Sequence, residues 1–134
     1  ISPMSGDALT PNWGFRGATG MRASVPDLHA FLQAMDDLLT PESIDLLMGN
    51  HVQTSGGTEI GFNWFARSND DGIFMRFSRG QESFGGNAVI YIYPEQELAI
   101  ITATNAGPAE SGDGAVTGWS RRAHEILAGV YLGR

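Results

Sequence analysis

Ala88-Val89-Ile90-Tyr91-Ile92-Tyr93, then Pro94-Glu95-Gln96-Glu97, then Leu98-Ala99-Ile100-Ile101-Thr102-Ala103-Thr104 is the stretch that decides how this chain folds. The apolar runs Val89–Ile92 and Leu98–Ile101 are continuous, with no polar residue alternating through them. Runs this short, rich in β-branched and aromatic side chains and bounded by a proline, read as strands. A strand without alternation is normally buried on both faces, which predicts helices on both sides of the sheet. The four-residue link is too short for a crossover, so the two strands pair antiparallel.

Upstream of this pair the same period continues. Ile60 to Ala66 reads as one strand, and Ile73 to Ser78 as another, with Asn69-Asp70-Asp71-Gly72 as the turn between them. Earlier still, the spacing becomes helical. Ser24-Val25-Pro26-Asp27 is a capping signal, with a hydroxyl at the N-cap, proline in the first turn and an acid three residues on. Leu28, Phe31, Leu32 and Met35 follow at helical intervals. Thr40-Pro41-Glu42 opens a second helix, with Ile44, Leu47 and Met48 as its apolar stripe and Gly49-Asn50 as its stop. Residues 1–23 read as irregular chain. Downstream of the strands, a glycine-rich loop from Ala106 to Gly114 leads into a helix whose stripe is Val116, Trp119, Ala123, Ile126, Leu127 and Val130. The predicted fold class is α+β: an antiparallel sheet of three to four strands flanked by helices, in one domain spanning residues 1–134.

Composition narrows the chemistry. The net charge of −7 disfavours nucleic acid and anionic membranes as partners, because phosphates repel such a surface. No apolar run approaches the ~20 residues of a spanning helix. All eight basic side chains are arginine, and lysine is absent. That excludes a phosphate-binding P-loop, a Schiff base and a Ser-x-x-Lys nucleophile pair within this chain. With no cysteine and scattered histidines, no metal or other cofactor is expected. His29 and His124 fall off the apolar stripes of their helices and read as solvated. His51 follows a helix end, where a cation suits the dipole.

The order of elements carries a resemblance. Gly20-Met21-x-x-Ser24-x-x-Asp27-Leu28-x-x-Phe31, Leu38-Leu39-Thr40-Pro41-Glu42-Ser43, Ile60-Gly61-Phe62-Asn63-Trp64-Phe65 and Ile100-Ile101-Thr102-Ala103-Thr104-Asn105 stand in sequence here. They resemble successive segments of the C-terminal half of serine hydrolases related to β-lactamases, penicillin-binding proteins, D-alanyl-D-alanine carboxypeptidases and kindred esterases. The resemblance implies acyl transfer through a serine ester, on a small or peptide-like substrate, with a periplasmic or secreted location favoured. It also implies that the nucleophile-bearing N-terminal part lies outside this chain, so that no catalytic residue is assigned within it. That part would be the chain's natural partner, and without it the chain would self-associate. The family's third motif, a base, a hydroxyl and a glycine at a strand end, is matched by Ser78-Arg79-Gly80, with Gln81 supplying an oxyanion-hole N–H. Here the hydroxyl and the base are exchanged. These four residues are the expected substrate-binding set. The alternative from another class is a binding or assembly module of the same fold without the chemistry.

Overall fold

A computed structural model of the chain describes residues 23–49, 51–81, 87–104 and 118–133. The two decisive runs form β5 (Asn87–Tyr93) and β6 (Leu98–Thr104), antiparallel, with Tyr91 opposite Ile100. A 3-10 turn at Pro94–Gln96 and Glu97 in the left-handed region (φ 50°) reverse the chain between them. On the other side of β5 lies β4 (Phe74–Gln81), with Phe77 opposite Tyr91. Then come β3 (Phe65–Ser68), β2 (Glu59–Ile60) and β1 (Val52–Gln53), so that six antiparallel strands stand in chain order. The α+β class is as expected, but the sheet has six strands among the described residues where three to four were expected. The two-residue strands β1 and β2 are too short to show any period.

The strand expected from Ile60 to Ala66 is broken. The Gly61 N–H donates to the Trp64 carbonyl (2.7 Å), and Asn63 takes a left-handed φ of 62°. That four-residue turn separates β2 from β3. Asparagine tolerates the left-handed region better than most residues. Gly61 meets a second constraint, since a Cβ there would collide with the carbonyl oxygen of Gly49 and lie 3.0 Å from that of Leu47. The turn expected at Asn69 is present, with the Asn69 carboxamide oxygen accepting from the Asp71 and Ile73 N–H groups (2.9 and 3.0 Å).

The helices begin where the sequence says. α1 (Val25–Gln33) carries the full capping box: Ser24 Oγ accepts from the Asp27 N–H, and Asp27 Oδ2 accepts from the Ser24 N–H (2.8 Å). These bonds from Ser24 hold the Asp27 carboxyl below its usual value of 3.8. After a break at Ala34 come the short α2 (Met35–Leu38) and then α3 (Pro41–Met48), which is N-capped by Thr40. His51 Nε2 donates to the Leu46 carbonyl (2.7 Å) in the last turn of α3, the place the dipole argument gave it.

α4 (Gly118–Tyr131) corrects the expected stripe. It packs on β5 and β6 through Ser120, His124 and Ala128, which are buried at i, i+4 and i+8. Ile126 and Val130, placed inward by periodicity, are 62% and 71% exposed. The sheet beneath the helix presents the rings of Tyr91 and Tyr93, and only small or flat side chains fit over them. Val116 lies outside the described residues, as does the Trp119 side chain. The core is formed by Met75, Phe77, Val89, Tyr91, Tyr93, Ile100 and Ala128. Burial on both faces holds only in part. Along β5, buried residues alternate with half-buried ones, and in β6 only Ile100 is buried.

Candidate functional site

Pleating decides what the end of β4 can do, because successive side chains leave on opposite faces. Met75 and Phe77 point into the core, so Arg79 shares their face while Ser78 and Gly80 take the other. The expected set is therefore split. Ser78 is half-buried and Gly80 exposed on one face; Arg79 is exposed on the face that carries α4. Gln81 closes the strand in register with Asn87. A Cβ on Gly80 would meet nothing within 4 Å, so this glycine leaves open space beside the backbone.

On the Arg79 face the rings form a row across four elements. Phe65 stacks on Phe77 (centroids 5.3 Å apart, planes 20° apart), Phe77 on Tyr91 (5.2 Å, 17°), and Tyr91 on His124 of α4 (3.4 Å, 11°). The register that sets Phe65 opposite Phe77 and Phe77 opposite Tyr91 aligns three of the four. His124, read from the sequence as solvated, is 5% exposed, and its Nε2 is 2.7 Å from the Tyr93 hydroxyl. Its position off the apolar stripe misled, because the stripe itself was assigned to the wrong face.

α4 lies over β5 and β6, so the β2–β4 part of this face is left to a cavity of about 260 Å³. Its floor is Phe65, Phe77 and Tyr91, and its far wall is Thr54, Thr58 and Ile60 from the β1–β2 hairpin. Three guanidinium groups line it: Arg67 from β3, Arg79 from β4 and Arg121 from α4. Arg121 is positioned by the first turn of α4. There the Ser120 carbonyl accepts from Thr102 Oγ1 (2.8 Å), and Ser120 Oγ donates to the Asn87 carbonyl (3.3 Å). Arg67 lies over the Phe77 ring (5.8 Å), and Arg79 over both Phe65 and Phe77 (5.8 and 5.9 Å). Among the described residues Arg67 and Arg79 form no ion pair, while Arg121 Nε contacts Glu125 Oε1 at 2.8 Å. Burial pushes the Tyr91 phenol above its usual value, and Arg121, Arg67 and Arg79 pull it back, so all three charges act on one group. Sequence reasoning found Arg79 and missed Arg67 and Arg121. The signal available was the period-2 placement of Phe65 and Arg67 beside Phe77 and Arg79.

Among the described residues no three His, Asp or Glu side chains gather as a metal site, and no helix is long and apolar enough to cross a membrane. Comparison of the chain with protein-family models, with curated proteins and with solved structures found no match.

Proposed function

We infer that the chain is the C-terminal part of a serine hydrolase similar to β-lactamases and penicillin-binding proteins, acting by acyl transfer on an ester, amide or β-lactam. In this reading a segment outside the chain brings the Ser-x-x-Lys nucleophile, and β4 with Ser78 and Gly80 borders the substrate. The observation that carries it is apolar surface in search of a cover. Ile126, Val130 and Tyr131 stand exposed on α4, and β6, an apolar strand, is the edge strand of the sheet among the described residues. Exposed apolar surface of this kind marks an interface, and an open strand edge invites a further strand. The absence of lysine supports the same division of labour, since it leaves the chain without the residue that activates such a serine.

The experiment is labelling with a fluorophosphonate or penicillin probe. The 134-residue chain should take no label, and the gene product that includes the upstream coding region should take one label per molecule at a Ser-x-x-Lys serine. Stoichiometric labelling of the 134-residue chain, or an upstream region with no such motif, would overturn the reading. A second reading, a binding module of the same fold without the chemistry, is favoured by the cavity lined by three arginines.

A further inference from the structure

We propose that the cavity between α4, β3, β4 and the β1–β2 hairpin is a binding site for a small dianion, a phosphate monoester or a dicarboxylate, held by Arg67, Arg79 and Arg121. The site goes beyond the hydrolase reading, because it lies on the face of β4 opposite Ser78 and Gly80.

Three observations converge on it. The first is the concentration of charge. Eight basic residues are spread over a chain of net charge −7, yet three of them, drawn from positions 67, 79 and 121, line one cavity. Like charges gathered at the rim of one cavity repel one another, and an anion bound among them would relieve that repulsion. Among the described residues the one ion pair at these arginines is Arg121 with Glu125, which leaves Arg67 and Arg79, two positive charges, without an acidic partner there. That matches a doubly charged ligand.

The second is preorganisation. Arg67 and Arg79 lie against the Phe65–Phe77 stack. A guanidinium drawn toward a ring face keeps N–H donors at its edge for a carboxylate or phosphate. The aromatic floor thus favours side-chain positions of Arg67 and Arg79 at the cavity, which lowers the ordering cost of binding.

The third is the choice of wall. Thr54 Oγ1 is engaged within the hairpin, donating to the Thr58 carbonyl (3.0 Å) and accepting the Thr58 N–H (3.2 Å). The hairpin is thereby fixed and carries no carboxylate into the cavity, while Ile60 and Phe65 supply an apolar side for the ligand's body. A cavity of about 260 Å³ has room for a small ligand.

The test is calorimetric titration of the 134-residue chain with phenyl phosphate, succinate and inorganic phosphate, with benzyl alcohol as the uncharged control. Phenyl phosphate or succinate should saturate one site, with benzyl alcohol silent. Stronger binding of phenyl phosphate than of inorganic phosphate assigns the apolar wall a role; tighter succinate assigns a dicarboxylate. Arg67→Gln and Arg79→Gln should each weaken binding roughly tenfold or more. Arg122→Gln, which removes the same charge from a neighbouring position outside the cavity, should leave binding unchanged. Circular dichroism of each variant separates loss of site from loss of fold. The proposal is overturned if none of the three anions saturates by concentrations on the order of 10 mM. It is equally overturned if Arg122→Gln weakens binding as much as Arg79→Gln does.

Discussion

Replacing Tyr93 by Phe tests whether the buried His124 is a structural element of the α4–sheet contact. Tyr93 is 1% exposed, and its hydroxyl meets His124 Nε2 at 2.7 Å. Phenylalanine keeps the ring and its packing, so the change removes only the hydroxyl and leaves a buried imidazole nitrogen without that hydrogen bond. Such a loss costs about 1–3 kcal/mol, more than the net worth of an ordinary hydrogen bond, because the stranded group is still desolvated. For 134 residues this corresponds to roughly 3–5 °C of Tm per kcal/mol. His124→Leu loses the same bond together with the Tyr91 stack, a contact of about 0.5–1.5 kcal/mol. Once Leu replaces the histidine, Tyr93→Phe no longer strands a nitrogen. The double variant should therefore be less destabilised than the sum of the singles, by about 1 kcal/mol or more. Urea unfolding of the four proteins measures this coupling. Additivity within about 0.3–0.5 kcal/mol would refute the pairing and leave His124 as mere filler.

Gly61→Ala should destabilise by about 1–3 kcal/mol, because its Cβ meets backbone oxygens of Gly49 and Leu47 that cannot swing aside; thermal unfolding reports it. Ser24→Ala removes the N-cap of α1 and should cost about 1 kcal/mol, read as lost helicity and a lower urea midpoint. The Asp27 carboxyl is held below 3.8, so its contribution is present above that value and fades as pH falls through the folded pKa. Asp27→Asn should flatten that part of an acid titration. The Tyr91 phenol is raised above 10.0, so its stabilising neutral form is fully present below that pH and lost as pH climbs through the folded value. Arg121→Gln should move the ultraviolet titration of this tyrosine still higher, and an unmoved curve would show that the guanidinium does not face it. Ile126→Gln with Val130→Gln should reduce self-association in sedimentation while leaving the circular dichroism unchanged, since both side chains are exposed.

The parts of the fold that depend on neighbours in sequence were legible, and those that depend on register were not. The capping box of α1, the Thr40 N-cap of α3, the Asn69 turn and the β5–β6 hairpin are local chemistry, and each lies where the residues put it. β1 and β2 hold two residues each and exist because a hairpin ties Thr54 to Thr58, which no period can reveal. The α4 stripe failed for a different reason. Periodicity counts apolar side chains, but the surface under α4 is a row of rings that accepts Ser120, His124 and Ala128 and rejects the bulkier Ile126 and Val130. The cavity was half legible. Alternation puts Phe77 and Arg79 on one face, whereas bringing Arg67 and Arg121 beside them takes the β3–β4 register and the docking of α4.

α4 carries two surfaces with opposite needs, and they bear on what the chain is. Its inner side is packed: Ser120 is hydrogen-bonded to the sheet, His124 is stacked and bonded, and Arg121 lines the cavity beside them. Its outer side, with Ile126, Val130 and Tyr131, resembles the face of a helix that still expects a neighbour. A module selected to work alone would gain solubility by replacing two of those residues with charged ones, a change that leaves the packed side untouched. In the proposed reading these residues, with the edge strand β6, would lie against further protein. Ligand binding by the cavity and covering of α4 are thus separable properties, and a variant that abolishes one should leave the other intact.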